Sequence, residues 1–352
     1  MGHVPPQIWY SRSPVVSPLA VAVRTGKLQQ AFAQEQIEIA STTEHADETI
    51  RSSYFNHHLA WSFRQGGNVP ALWARSQGAA TKLIGLSWNT EFQALITLPD
   101  RGIRNAKDLT GRRYGVPHFA PFGVDLLAPF ALKGLVSARA AEGLDIDGVE
   151  LVDLPVETRV KPYDPNKGDG LGKFSLGGFG ANPQIAALFQ GKIDAFYVKG
   201  VEGVALANAI GASLVSEFGS HPDLWVRLGA GNPRPLTIGD EFVATRPDLV
   251  GVLLNTVRSI GPWATGHRED AIRALAADHK ASENAVRVAL GEDIGAHLGI
   301  SLKDDELEAF ERYRNLLKDW KIIEGDFSLS EWVAPKPLEH ALTSPLAQWA
   351  RD

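Results

Sequence analysis

Strand-length apolar runs and stretches with helical spacing alternate along most of the chain. Residues 6–11, "PQIWYS", and 37–41, "IEIAS", have the first character, and 18–34 has the second, with Ser17 as N-cap and Pro18 in the first turn. That order predicts a βαβ unit. A helical stretch follows, ending near "WSFRQGGNVPALWARSQG" at 61–78, and then strands "TKLIGLSW" at 81–88 and "FQALITLPD" at 92–100. In "IRNAKDLTGRRYGVP", 103–117, a short helix leads through a glycine turn to a strand, with a helix over 123–137 and a strand "VELVDLP" at 149–155 beyond it. The stretch 161–181, rich in Gly, Lys and Asp, reads as a surface loop; its glycines lead into no Gly-Lys-Ser/Thr, so it is not a phosphate cradle. After the strand "GKIDAFYV" at 191–198, amphipathic segments at 247–261, 268–277, 282–291 and 303–319 predict a helical C-terminal layer. No internal repeat is visible, and the alternation predicts an open α/β architecture.

Composition narrows the function classes. A chain of 352 residues, 44% of them hydrophobic, can bury a sizeable core and, at roughly 100–200 residues per domain, is expected to form two units. A net charge of −6 supplies no basic field for phosphate backbones, which argues against nucleic acid as a partner. Cysteine is absent, so there is no disulfide framework, thiolate metal site or cysteine nucleophile. The single methionine is Met1. Such scarcity of sulfur fits either drift in a GC-rich genome or a protein made during sulfur starvation, and the second would place the chain in sulfur scavenging. The apolar runs fall short of the roughly 18 residues that span a bilayer. "MGHVPPQIWYS" has neither the basic nor the apolar region of a secretory leader, so a periplasmic protein would have shed its leader and a cytosolic one would never have had it. His57 and His58 point about 100° apart if helical and have no H-x-x-x-H partner, so neither a metal nor another cofactor is expected. The acidic piece 304–320 reads as a solvated helix face with i,i+4 ion pairs.

Three motifs, "GNVPALWARSQG" at 67–78, "IRNAKDLTGRRYGVP" and "GKIDAFYV", follow one another as in the solute-binding proteins of nitrate, sulfonate and taurine ABC transporters, which the chain resembles along most of its length. The resemblance implies a two-domain type II periplasmic-binding fold. A closer likeness is to the aryl-sulfinate desulfinase branch of that fold. Its active-site segment reads Tyr-Ser-Asn-Cys-Pro where this chain has "YSRSP" at 10–14; its Arg-x-Gly-Gly matches "RQGG" at 64–67, and its Trp-x-Ala-Pro resembles "EWVAPKPLEHAL" at 331–342. By this resemblance Ser13 stands at the cysteine nucleophile's place, and Arg64, Gly66 and Gly67 carry over directly. In the ungapped register Tyr54 stands where the desulfinases have histidine; a gap would put His57 or His58 there instead.

Physical chemistry separates the two uses. A thiol with a pKa of about 8.5 is readily activated, whereas a serine hydroxyl needs a positioned general base. Ser13 has no evident base, and neither a G-x-S-x-G elbow nor a clustered histidine supports a triad. A sulfonate or sulfate ester, by contrast, needs hydrogen-bond donors and a cation. The loop 11–18 leads into a helix N-terminus, to which Ser11 and Ser13 add hydroxyls and Arg12 a charge. Arg64 offers a planar fork, and the glycines at 66 and 67 allow close backbone approach; the plain alternative is a helix-end arginine before a glycine pair. From the second unit, His118, Phe119 and Phe122 precede a helix, and with Trp61, Trp88 and Tyr197 they suit a large organic tail. Tyr197 and Lys199 fall near a strand end, where ligands bind in open α/β sheets.

These observations predict a first domain of 1–98 and 226–352, a second of 99–225, and a ligand cleft between them. The expected function is binding of an organosulfur anion, an aryl or alkyl sulfonate or a sulfate ester, by a monomeric periplasmic protein that delivers it to an ABC permease, with no direct membrane insertion and no catalytic residue. The expected ligand-binding set is Ser11, Arg12, Ser13, Tyr54, His57, Arg64, Gly66, Gly67, Trp88, His118, Phe119, Tyr197 and Lys199. The alternative is a desulfinase-like C–S hydrolase with Ser13 at the nucleophile position, which would be cytoplasmic. A third reading, a binding-fold member of thiamine-pyrimidine synthesis, lacks any supporting cysteine- or histidine-rich motif.

Overall fold

A computed structural model describes residues 7–351 apart from 14, 121–122, 157–182 and 230–231, so the predicted loop 161–181 and Phe122 lie outside the described residues. The strands are β1 (Ile8–Arg12), β2 (Ile39–Ser41), β3 (Ser62–Gln65), β4 (Thr81–Ser87), β5 (Gln93–Thr97), β6 (Arg113–His118), β7 (Glu150–Pro155), β8 (Phe196–Lys199), β9 (Ser213–Glu217) and β10 (Arg234–Gly239). One sheet has the order β2-β1-β3-β10-β4, with β1 parallel to β2 and β3, and β10 antiparallel to β3 and β4. In the other half β5 pairs antiparallel with β8 and β9, β6 pairs parallel with β7, and a parallel bridge from Tyr114 to Ala195 links β6 to the lead-in of β8. The resulting order β7-β6-β8-β5-β9 repeats the arrangement of the first sheet, although the sequence shows no repeat. In each case the fourth strand is the one that arrives from the other half of the chain. β5, on the first-domain side of a boundary at 98, belongs to the second sheet, so the chain crosses over before it, at 88–92.

Several helices form where the spacing places them: Pro247–Gly266, Arg268–His279, Glu283–Leu290 and Asp304–Asp319. The first places Leu249, Leu253, Val257 and Ile260, all fully buried, in one hydrophobic core with Phe63, Leu236 and Ile238 of the first sheet. Each such side chain contributes about 1.5–3 kcal/mol of burial free energy. The helix predicted over 18–34 is broken into Pro18–Arg24 and Lys27–Gln34, because Gly26 takes φ +72 between them. The helix expected at 123–137 is Ala128–Ala140, started late by Asp125, whose Oδ1 accepts the N–H groups of Leu127 and Ala128. Residues 62–65, read as part of a helical stretch, form β3. All four are buried, so they lack the alternation that marks a half-exposed strand. β10 is buried throughout in the same way and was not anticipated, nor was the partly exposed β9. The Trp-x-Ala-Pro segment covers the free edge of β4: Val333 bridges Leu83, Ala334 N–H donates to Leu83 O at 2.8 Å, and buried Trp332 donates its indole N–H to Thr81 Oγ1 at 3.1 Å.

Candidate oxyanion site at the sheet edge

β1 and β3 run parallel, with Ser11 opposite Arg64 and Arg12 opposite Gln65, so Ser13 and Gly66 leave the sheet at the same edge. Ligands of open α/β sheets sit outside such carboxyl ends. A Cβ built on Gly66 would lie 2.8 Å from Ser13 Oγ, 2.9 Å from the Tyr54 hydroxyl and 3.3 Å from Arg64 Nη2. Any side chain at 66 would therefore occupy the space on which these three groups converge. Arg64 is 1% exposed. Its Nε donates to Tyr54 O at 2.8 Å and its Nη2 to Gly67 O at 2.9 Å, with the guanidinium carbon 4.4 Å from the Tyr54 ring centre. Among the described residues, buried Arg64 Nη1 and Ser13 Oγ have no hydrogen-bond partner, and no carboxylate lies within ion-pair distance of Arg64. Burial pulls the pKa of Arg64 down and Tyr54 opposes that shift, yet a guanidinium keeps its charge at neutral pH. A buried cation without a counter-ion beside an unpaired hydroxyl is an arrangement that an anion completes.

The structure selects among the three residues that the register left open. Tyr54 faces Ser13. His57 ends the helix Glu48–Asn56 at φ +49 and lies with its ring nitrogens 3.3 Å from Thr237 Oγ1 and 3.4 Å from Ser62 O. Burial, reinforced by the Arg64 charge, lowers its pKa to about 4, so it is neutral at pH 7 and does not add a second cation. His58 is exposed and engages Asn56 Oδ1 at 2.7 Å. The helix N-terminus at Pro18 does not serve as an anion cradle, because its donors are spent within the protein. Leu19 N–H goes to Gln65 Oε1 at 2.9 Å and Ala20 N–H to Ser17 Oγ at 3.2 Å.

The other predicted site residues are held elsewhere. Ser11 shares a 2.6 Å hydrogen bond with Thr42, and Arg12 Nη1 donates to both carboxylate oxygens of Asp278 at 2.7 and 2.8 Å. His118 stands between Asp125 at 2.8 Å and Asp153 at 2.9 Å. Burial works to lower its pKa, but the two carboxylates outweigh it and raise it, so its charge is already matched. Phe119 is half-buried and its carbonyl accepts Leu126 N–H at 2.9 Å. Tyr197 donates its hydroxyl to Gln93 Oε1 at 2.7 Å inside the second half's core, stacked on Phe218. Lys199 lies 3.9 Å from Glu91 Oε1, and Glu91 also takes Arg234 Nη2 on both oxygens, at 2.9 and 2.8 Å. Gly67 caps the helix Asn68–Ser76 and gives its carbonyl to Arg64. Trp88, at the end of β4, is half-buried.

Sequence reasoning missed three contributors. Gln65, inside the "RQGG" motif, ties the loop after Ser13 to β4 through Leu19 and Ser87, and its place in the motif was the available signal. Trp73 and Leu126 pack on the Tyr54–Phe55 pair and form an apolar wall; nothing in their local sequence separates them from ordinary core. Among the described residues no group of His, Asp and Glu is arranged to hold a metal ion, and no helix is long and apolar enough to cross a membrane. Two surface grooves, one between Ile300–Lys303 and Pro335–Leu342 and one between Ala264–Arg268 and Glu292–Gly295, lie apart from this cluster.

Comparison with known proteins bears on the fold as a whole. Residues 61–161 match the model of the NMT1/THI5-like family. The 2'-hydroxybiphenyl-2-sulfinate desulfinase of Rhodococcus erythropolis is 26% identical over 365 aligned positions, covering 95% of this chain and 93% of the relative. Among solved structures, a cysteine-to-serine mutant of the desulfurization enzyme DszB in complex with biphenyl-2-sulfinic acid superposes with a TM-score of 0.73 at 24% identity, over 96% of this chain and 98% of that one. The periplasmic aliphatic sulphonate binding protein SsuA from Escherichia coli superposes with a TM-score of 0.65 at 12% identity, over 94% and 92% of the two chains. The chain thus has the periplasmic-binding-protein fold of the sulfonate-binding proteins, carries an NMT1/THI5-like segment, and in sequence resembles the desulfinase-like branch of that fold.

Proposed function

We propose that this protein binds an organosulfur oxyanion, a sulfonate, sulfinate or sulfate ester with an organic tail, at the cradle formed by Ser13, Tyr54, Arg64 and Gly66, and that it serves uptake through an ABC importer from the periplasm. The observation that carries the reading is the convergence of Ser13 Oγ, the Tyr54 hydroxyl and Arg64 on the bare face of Gly66, with Ser13 Oγ and Arg64 Nη1 unpartnered. Sulfur oxyanions spread one negative charge over oxygens that accept several hydrogen bonds, and a hydroxyl, a phenol and a guanidinium supply them. In this reading the two halves, meeting at the crossovers, close over the ligand, and Trp73 and Leu126 receive its tail.

A second reading, desulfinase-like C–S cleavage, is favoured by the curated relative that covers 95% of the chain. Its chemistry needs a nucleophile with an activating base. Here the hydroxyl of Ser13 faces a phenol and not an imidazole, and neutral His57 lies on Thr237 and Ser62. Binding without turnover is what these groups do best.

The test is a thermal-shift series with sulfonates, sulfinates, sulfate esters, nitrate and taurine. A ligand that binds only the folded state at 100-fold over its Kd adds about 2.7 kcal/mol. Arg64→Ala is expected to weaken binding by roughly 2–5 kcal/mol, and Arg64→Lys to restore part of it. A shift with a pyrimidine or an amino acid and with none of the sulfur oxyanions would overturn the ligand class; wild-type affinity in Arg64→Ala would move the site elsewhere.

A further inference from the structure

The edge that carries the cradle also carries a second cation that, among the described residues, makes no ion pair. β4 runs in the same direction as β1 and β3, so Trp88, just past its end, stands at the same edge as Ser13 and Gly66. Arg227 ends the short helix Leu224–Arg227 and places its guanidinium carbon 5.9 Å from the Trp88 ring centre. Among the described residues Arg227 makes no ion pair and no side-chain hydrogen bond, and its buried Nε and the buried Nε1 of Trp88 are both donors without an acceptor. Other arginines spend themselves fully or in part: buried Arg139 on three backbone carbonyls and Thr110, half-buried Arg258 on two carbonyls, and buried Arg234 on Glu91. Burial pulls the pKa of Arg227 down and the charge of Glu306 opposes it, although Glu306 makes no ion pair with Arg227 and is engaged by Ser301 Oγ at 2.6 Å and Lys303 Nζ at 3.9 Å.

Hydrogen bonds lace this pair to the cradle. Asn68, next to Gly67, donates to the carbonyls of Gly229 and Asn232 at 3.1 and 3.3 Å; Asn232 donates to Asn89 O at 2.9 Å and Arg227 O at 3.5 Å; and Asn89 donates to Val16 O at 3.2 Å. Apolar side chains adjoin both points, since Trp73 and Leu126 pack on Tyr54–Phe55 and also, as Trp88 does, on the buried group around Leu72, Leu228 and Phe310. Taking the oxyanion reading of the cradle as given, we propose that Arg227 and Trp88 form a second recognition point for the far end of the same ligand, which is an aryl sulfur oxyanion carrying a carboxylate on its tail. A guanidinium fork beside an indole N–H matches the acceptor-only chemistry of a carboxylate, and the aromatic wall suits the ring that joins the two anionic ends.

Calorimetric titration at fixed ionic strength with benzenesulfonate and with 3- and 4-sulfobenzoate tests this. Wild type is expected to bind one of the sulfobenzoates at least about tenfold more tightly than benzenesulfonate. Arg227→Met is expected to bring that ratio to about one, with Arg227→Lys and Trp88→Phe between, as each removes only the fork or only the indole N–H. Near-UV circular dichroism confirms that the variants are folded, and Arg227→Lys carries the test if Arg227→Met is not. A ratio near one in wild type, or an undiminished ratio in the Arg227 variants, overturns this inference alone. Binding of none of the compounds overturns the cradle reading together with it.

Discussion

At residue 66 a hydrogen in place of a side chain keeps the point where a hydroxyl, a phenol and a guanidinium converge free of a Cβ, the point at which we propose that a ligand oxygen is held. What those groups can do follows from their acidities. Ser13→Ala is expected to cost about 0.5–1.5 kcal/mol of affinity, the net worth of one neutral hydrogen bond, and somewhat more because the acceptor is charged. Ser13→Cys introduces a thiol, but no imidazole stands beside it, since His57 is turned onto Thr237 and Ser62, so the variant is expected to bind an aryl sulfinate without releasing sulfite; sulfite above a Ser13→Ala control would favour the enzyme. His57 gives a different signal. Unfolded, it takes a proton near pH 6.5, whereas folded it resists until about pH 4, because the charged form would be buried beside Arg64. Between these values the unfolded chain binds more protons, so stability falls as pH drops through that window, by about 3 kcal/mol in all. Urea unfolding at pH 7 and pH 4.5 measures the slope, and His57→Gln is expected to flatten it; an unchanged slope would show that His57 is not the titrating group.

Among elements, the strand ends matter most, because β1 and β3 deliver their last residues to one place while the helices behind hold them there. Arg12 is one such tether. It leaves β1 beside the cradle and is clamped by Asp278, near the end of the helix Arg268–His279, with side chains 13% and 5% exposed. Breaking a largely buried pair strands the remaining charge. Asp278→Ala is therefore expected to lower stability by about 2–3 kcal/mol and to weaken ligand binding indirectly, by loosening the Ser13 loop that Arg12 anchors. Equilibrium denaturation together with titration of the ligand separates the two effects: full affinity in a destabilised Asp278→Ala protein would show that the tether serves folding alone.

Across the whole molecule, the two halves are joined where the chain crosses at 88–92 and returns into β10. Glu91 lies in the first crossing, Arg234 begins β10, and Lys199 ends β8, so one buried carboxylate ties together both crossings and a strand of the second half. Burial would raise the pKa of Glu91, but Arg234 and Lys199 outweigh it and hold it below the usual carboxylate range. Glu91→Gln leaves two cations with no carboxylate between them and is expected to destabilise by about 3–5 kcal/mol. If the crossings also guide closure over the ligand, small-angle scattering of this variant will show a smaller compaction on ligand addition than wild type; identical compaction would confine Glu91 to stability.

The α/β class, the amphipathic helices of the C-terminal layer and the motifs "YSRSP" and "RQGG" were legible in the sequence, because periodicity and short-range chemistry are local properties. Arg64 and the glycines after it were likewise recognisable as candidates. Three things were decided only by tertiary packing. β3 and β10 are buried throughout and carry no alternation, so their strand character comes from neighbours that are distant in sequence. Arg12, His118, Tyr197 and Lys199 have the right chemistry for a ligand, but their partners Asp278, Asp125 and Asp153, Gln93 and Glu91 sit on other elements and engage them first. Which of Tyr54, His57 and His58 faces Ser13 depended on where the helix Glu48–Asn56 ends, and a left-handed residue at His57 turns the chain so that the tyrosine, and neither histidine, meets the serine. Sequence supplies the functional groups, but whether a group remains unpaired is a property of the whole fold, and Ser13 Oγ and Arg64 Nη1 are among the buried atoms that this fold leaves without a partner.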